Sequence, residues 1–453
     1  MANTYLTRTL GSGNKDKWTW SAWVKKHSNG SILPLFHADD GSTNYYTHIS
    51  FHDTDQLFFQ NRYANTNKGY KISTQVFRDN NAWYHVQFVW DSNNSTADDR
   101  QIIYVNGERI TAYDVNITPN LDQNSTINDG YEHRIGRGGT GFNGSAYANV
   151  TLSHVHFADG QALAPTVFGS TDNVTGQWKI NTSPSFTLGT NGFTILKDGN
   201  TITDQSANSN NWTLGGGTLT NTEDCPSNFF ATWNPISTAV ARSGGTFANG
   251  NTTHTTVATK FNGIPATLGM SSGKYYFEVK WSSGSDVEAI IGIQSAERTA
   301  DDQELGHYAT DYGYYSNNGN IRSNNAYQGA FGNTYAVNDI IGVAVDLDNN
   351  KLYFSKNGVW QNSGDPTSGA TGTGAYSITD PDSTPTGFYF PAISGWSNSY
   401  AHTFQANFGN GFFGTQEITT NTGTGYQDAD GNGRFYYAVP TNYRCLSTKG
   451  LNQ

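Results

Sequence analysis

Along most of the chain, apolar and polar residues alternate one for one. Over residues 275–281, Tyr275, Phe277, Val279 and Trp281 fall on one side of an extended backbone and Tyr276, Glu278 and Lys280 on the other, because successive strand side chains point to opposite faces. The same period runs through 85–90, where Val86, Phe88 and Trp90 alternate with His85, Gln87 and Val89. It recurs at 351–356, where Leu352 and Phe354 face away from Lys351 and Ser355. Each segment is predicted to be a strand with one buried face. No stretch of useful length carries the 3.6-residue period of an amphipathic helix.

Between these strands stand residues that tolerate positive φ, including Asn106-Gly107, Asn349-Asn350 and Asn357-Gly358, the chemistry of tight hairpins. From about 166 to 227 the alternation breaks into short pieces separated by Gly, Asn, Ser and Thr. Phe193, Ile195, Trp212 and Leu214 in that stretch would be costly to leave in water, so it is predicted to be an ordered connector packed on its neighbours. At 453 residues the chain exceeds what one core usually organises. The expected fold class is all-β, two antiparallel β-sandwiches in tandem.

Composition removes several classes of function. Aromatics reach 14% and charged residues only 14%, the opposite of a disordered chain. A net charge of −11 without a concentrated basic patch argues against nucleic acid as a partner. No apolar run approaches the ~20 residues of a membrane span, and residues 1–18 lack the apolar core of a secretion signal, so cytoplasmic synthesis without membrane insertion is expected. Cys225 and Cys445, half a chain apart, offer neither a disulfide framework nor metal-ligand spacing.

Specific segments resemble known families. Trp83–Ile110, in which a W-x-H strand leads to a Y-V-N-G hairpin, the Ile135-Gly136-Arg137 strand and WTWSAWVKK at 18–26 resemble laminin G-like, concanavalin A-like lectin domains. The ordered series ATLGMSSGKYYFEVKW, IIGI, DYGYYSNNGNIR, NDIIGVAVDLDNNKLYFSKNGVW, FYFPAISGW and FQANFGNGFF resembles a SPRY domain. The implied organisation is a concanavalin A-like jelly roll over 1–168, a connector over 169–227, a SPRY-like sandwich over 228–415 and a C-terminal tail over 416–453 packing on it.

DQSANSNNWT and CPSNFFATWNP in the connector, with GRFYYAVPTNYRCLSTKGLN at the end, resemble segments of marine bacteriophage structural proteins that combine these two domains. That resemblance implies a non-enzymatic virion surface protein, a tail fibre or adhesin engaging a host surface glycan or receptor. The alternative it implies is a capsid fibre or decoration contacting other virion proteins. Either would be located in the virion, as a homo-oligomer, with a trimer expected.

Candidate chemistry follows from residue type and spacing. Glycoside hydrolysis on a concanavalin A-like fold needs two carboxylates flanking the scissile bond. Asp53 and Asp55 have same-face strand spacing but lie in HDTDQ, a polar stretch that reads as the turn before the apolar strand QLFFQ, so no enzyme is expected. Calcium is the ion that the laminin G-like resemblance implies. Asp428, Asp430 and Asn432 before Gly433 match the first half of an oxygen-ligand loop, although Val439 stands where the bidentate Glu would complete it. Asp39, Asp40 and Asp91 are the other candidates. Ligand contact is expected from loop aromatics and polar neighbours: Tyr45, Tyr46 and His48; Tyr308, Asp311, Tyr312 and Tyr314; and Trp396 with Tyr400.

Overall fold

The computed structural model describes residues 3–197, 201–260, 263–284, 288–295, 300, 303–395, 399–419 and 426–451. The chain divides into two units, the first holding Met1–Asn221 with Cys225–Ser227 and the second Thr222–Asp224 with Asn228–Gln453. Each is a two-sheet antiparallel sandwich, in agreement with the alternation in the sequence.

In the first unit, the larger sheet runs in the order Tyr113–Ile117, Thr66–Val76, Gln56–Tyr63, Tyr46–Phe51, Leu33–Asp39, Glu132–Ile135, Tyr5–Thr9 and Thr213–Gly216. The smaller runs Phe193–Ile195, Val150–Asp159, Lys17–Lys26, Trp83–Asp91, Gln101–Val105 and Glu108–Arg109. Register places Trp18 opposite Trp90, Trp20 opposite Phe88 and Ala22 opposite Val86. These six inward side chains are fully buried with Phe36, Phe59 and Phe157. Burying a large apolar side chain contributes about 1.5–3 kcal/mol, so this aromatic layer dominates the unit's stability.

The residues between 166 and 221 belong to this sandwich. Phe193–Ile195 pairs with Val150–Asp159, Thr213–Gly216 pairs with Tyr5–Thr9, and Trp212 enters the core. They also cover the outer face of the smaller sheet, where an alternating strand would be expected to meet water. His85 on that face is fully buried. Trp178 Nε1–H donates to its Nδ1 (3.1 Å), which leaves Nε2–H to donate to Ser21 Oγ (2.8 Å). Gly107 makes room for this cover: its φ is +84°, and a Cβ there would run into the Trp178 ring.

The second unit pairs Thr246–Ala248, Thr253–Thr255, Thr403–Asn407, Lys274–Ser283, Ile340–Asp346, Lys351–Lys356 and Val359–Trp360 in one sheet. The other sheet holds Ile264–Pro265, Phe390–Gly395, Ala289–Gln294, Tyr312–Tyr315, Asn320–Ser323 and Ala326–Ala330. Phe277, Val279, Ile291, Val343, Phe354 and Ile393 fill the space between them. The C-terminal residues Phe435, Tyr443, Cys445 and Leu446 are fully buried in the same core. Helix is confined to short pieces such as Thr238–Ser243, whose first turn is capped by Ser237 Oγ accepting from Val240 N (3.4 Å). No helix among the described residues is long and apolar enough to cross a membrane.

One polar residue departs from the sequence reading. Glu278 sits on the outward side of its strand, yet it is fully buried because residues 434–437 lie across it. Its carboxylate accepts from Tyr436 N (2.9 Å) and Tyr437 N (2.8 Å), from Asn407 Nδ2 (3.1 Å) and from Tyr276 Oη (3.1 Å). Burial pushes the Glu278 carboxyl up to about 7 against the pull of these donors.

Two predictions follow from the buried titratable groups. Burial pushes His27, His85, His133 and His156 in the first unit down to about 3 from 6.5. A lowered base binds fewer protons folded than unfolded, so this stability is complete above about pH 6.5 and is lost as pH falls toward 3. Amide exchange of the Trp83–Asp91 strand, corrected for intrinsic rate, is expected to accelerate steadily between pH 7 and pH 4. Glu278 acts in the opposite sense: raised from 4.5, its contribution is complete below about pH 4.5 and is lost as pH rises through about 7. Urea unfolding of Glu278→Gln is expected to lack this decline, while Glu278→Ala, which orphans buried donors at about 1–3 kcal/mol each, unfolds at lower urea throughout. A Glu278→Gln profile parallel to that of the native chain contradicts the assignment.

Candidate functional site

In the first unit, two of the three residues expected to contact ligand lie buried. Tyr46 and His48 are buried because a hairpin, Arg137–Gly139 paired with Phe142–Tyr147, covers the outer face of the larger sheet. Phe142 packs on His48 at 4.2 Å between ring centroids. Tyr46 Oη–H donates to Gln60 Oε1 (3.1 Å). Tyr45 stays half-exposed and meets Tyr63 edge-on at 4.9 Å.

Beneath the hairpin runs a polar relay. Asp39 Oδ2 accepts from His37 Nε2–H (2.8 Å), so His37 Nδ1 is the acceptor for His48 Nδ1–H (3.1 Å). Asp39 also takes the amides of Gly41 (3.0 Å) and Gly141 (3.1 Å). Hydrogen bonds and Arg134 hold its carboxyl below the usual range, whereas burial lowers both imidazoles. A Cβ at Gly139 would collide with the Asp39 carboxylate and the His37 ring, which is why the hairpin can close only with glycine there. The relay locks the hairpin to the sheet, and Asp39 is engaged in it. Asp40 caps its own turn through Ser42 N (2.9 Å), and Asp91 pairs with Lys17 (3.0 Å).

The hydrolase-type pair is likewise structural at one end. Asp55 is bound to the buried Lys26 (2.9 Å), Arg78 (3.3 Å) and the Gly30 amide (3.1 Å), while Asp53 lies beside His52 (2.6 Å).

In the second unit the predicted residues separate. Tyr312 and Tyr314 are buried: Tyr312 Oη accepts from Thr379 N (3.0 Å), and Tyr314 donates to the Asn333 carbonyl. Asp311 is fully buried and accepts the amides of Tyr308 (3.2 Å) and Ser295 (3.4 Å), fixing a loop. Tyr308 is half-buried and donates to Gln303 Oε1 (3.0 Å). Tyr400 is 55% exposed. Trp396 lies outside the described residues.

The calcium expectation meets a carboxylate already engaged. Asp428 Oδ1 accepts from Asn432 N (2.6 Å) and Gly433 N (3.0 Å), and Oδ2 from Cys445 N (2.9 Å), while Asp430 pairs with Arg444 (2.7 Å). The segment is a turn that clamps the C-terminal residues to the core. Among the described residues no three His, Cys, Asp or Glu side chains gather as a metal site.

The sequence reading missed an exposed ribbon in the second unit. Ala326–Ala330 closes one end of its sheet, paired among the described residues on one side only, with Asn320–Ser323, and all five of its residues are exposed. Tyr327 is 50% exposed. It stacks on Tyr315 at 5.3 Å and lies under the Arg322 guanidinium at 4.9 Å. Arg322 is held by Glu304 (Nε to Oε1, 3.1 Å). The available signal was Asn324-Asn325, both at positive φ, a two-residue hairpin turn leading straight into Tyr327.

Comparison with known proteins identifies both folds. Residues 2–167 match the concanavalin A-like lectin/glucanases superfamily, and residues 274–410 match the SPRY domain. The chain is 34% identical over 90 residues to the Ran-binding proteins 9/10 homolog of Drosophila melanogaster and 35% identical over 96 residues to human Ran-binding protein 9. These alignments cover 20% and 21% of this chain and 9% and 12% of the relatives' lengths. Among solved structures, the SPRY domain of human HERC1 aligns over 34% of this chain and 86% of its own, at 13% identity and a TM-score of 0.28. A pentraxin of Limulus polyphemus aligns over 48% of this chain and 91% of its own, at 14% identity and a TM-score of 0.29.

The animal relatives correct the expectation of a phage tail fibre or adhesin. With it fall the capsid-fibre alternative, the virion and host-glycan partners, the fibre trimer and the virion location. The segments that suggested a virus are core-forming parts of the two folds: Trp212 fills the first core and Phe435, Tyr443 and Leu446 the second. The chain carries a concanavalin A-like domain over residues 2–167 and a SPRY domain over residues 274–410.

Proposed function

We propose that this chain is a non-enzymatic binding protein whose SPRY domain recognises another protein. The observation that carries the reading is the SPRY match combined with 34–35% identity to the Ran-binding proteins 9 and 10, proteins named for binding a protein. A non-enzymatic role is supported by the structural engagement of Asp55 and Asp39 in ion pairs and amide bonds.

The exposed ribbon is the surface suited to such recognition. Its outer edge offers backbone N–H and C=O groups to an added strand. Tyr and Arg are the residue types enriched where interfaces gain most of their energy, and Tyr327 and Arg322 stand together at this edge. Glu304 and Tyr315 hold both in place before any partner arrives, which lowers the ordering cost of binding.

Panning a displayed random-peptide library against the whole chain is expected to enrich one sequence pattern. Tyr327→Ala is expected to weaken its binding by about tenfold, a typical hot-spot loss of about 1–2 kcal/mol, with unchanged thermal unfolding. No enriched pattern, or a pattern bound equally by Tyr327→Ala, removes the ribbon as the recognition surface.

A further inference from the structure

We propose that the hairpin over residues 137–147 of the first unit is an acid-released lid on the outer face of the larger sheet. The relay beneath it has no place for an added proton while the hairpin is closed. In that state His37 Nε2–H donates to Asp39 (2.8 Å) and His48 Nδ1–H donates to His37 Nδ1 (3.1 Å). The two ring nitrogens without hydrogen are therefore His37 Nδ1 and His48 Nε2. A proton on the first sets two N–H groups head to head. A proton on the second puts a positive charge on a buried atom that has no hydrogen-bond partner among the described residues. The Phe142 ring beside it attracts a cation, but far less than the water that was given up.

The groups around the pair do not relieve either proton. Asp39 already takes His37, the Gly41 and Gly141 amides and Arg134 (3.4 Å). The Glu132–Ile135 strand brings Arg134, itself a cation, with Glu132 held to it (2.8 Å) and His133 on the core side. Tyr46–Phe51 and the turn after it bring Tyr46, bonded to Gln60, and His52, beside Asp53. Arg62 comes from Gln56–Tyr63, Tyr70 from Thr66–Val76, and Arg137 and Tyr147 from the hairpin. The carboxylates in this set, Asp39, Glu132 and Asp53, are each engaged. Burial accordingly holds both imidazoles below their ordinary 6.5.

The hairpin is anchored at its base and held at its tip by the contacts that protonation disturbs. At the base the Arg137 guanidinium lies over the rings of Tyr5 (4.8 Å) and Tyr147 (5.3 Å), and Gly136, at φ +85°, is a joint free of a Cβ penalty. At the tip Gly141 N donates to Asp39 (3.1 Å), and Phe142 packs on His48 (4.2 Å) and Phe58 (5.2 Å). Opening the tip lets water reach both imidazoles and uncovers Tyr46, His48 and Phe58. Register sets Phe58 opposite Ile72, Ile72 opposite Val115 and Tyr70 opposite Ile117. The open state therefore presents one apolar face that runs out to the Tyr113–Ile117 edge of the sheet.

A base whose proton affinity is lowered in the closed state stabilises closure fully above about pH 6.5 and loses that contribution as pH falls. The opening constant then rises by up to about tenfold per pH unit for each proton taken up, and about 100-fold for the pair. Hydrogen–deuterium exchange of the whole chain between pH 7 and pH 4.5, corrected for intrinsic rate, is expected to show this slope in residues 138–146. The Trp83–Asp91 strand is expected to stay more protected at every pH. His48→Gln, whose amide still donates to His37 Nδ1 but takes up no proton, is expected to cut the slope to about tenfold per pH unit. Phe142→Ala is expected to lower hairpin protection already at pH 7. Hairpin protection that ignores pH, hairpin and Trp83–Asp91 amides that lose protection together, or an unchanged slope in His48→Gln overturns the proposal. The comparison within the native chain decides the matter even where His48→Gln fails to fold.

Discussion

Burial of the outer sheet faces is the constraint on which both units depend. A lone sandwich buries the facing sides of its two sheets and leaves the outer sides to water. Here later parts of the chain close over an outer side as well: the 166–221 stretch over the smaller sheet of the first unit, and residues 434–437 over Tyr276 and Glu278 in the second. Each covered polar group then needs a partner, since a buried orphan costs about 1–3 kcal/mol. The Trp178–His85–Ser21 chain, the Asp39–His37–His48 relay and the four bonds to Glu278 all answer this demand. His85 and Glu278 among them tie stability to pH in opposite directions.

The same covering decides what remains available for binding. Aromatics that would suit a ligand, such as Tyr46, Tyr312 and Tyr314, are consumed by packing. Asp39, Asp55, Asp311 and Asp428 are consumed by amides and ion pairs. Among the places that stay open where covering stops is the strand edge carrying Tyr327.

Much of the architecture was written in local pattern. Period-2 alternation around Tyr275–Trp281 and Val86–Trp90 located strands and their core sides, and Asn106-Gly107 and Asn357-Gly358 fell at turns with positive φ, because pleat and turn geometry depend on neighbouring residues alone. The W-x-H to Y-V-N-G series and the SPRY series identified both domains for the same reason. The viral reading rested on connector and tail segments, and these proved to be core-filling pieces of the two folds.

The sequence by itself determined an all-β chain of two sandwiches and which side of each strand faces its core. Only the tertiary structure decided which outer sides are covered, and with them the fate of His48, Glu278, Asp428 and Lys280. Tyr276, Glu278 and Lys280 look equivalent in the sequence, three alternate positions on one strand. They differ because a segment about 160 residues later crosses the first two and misses the third, and alternation carries no information about so distant a partner.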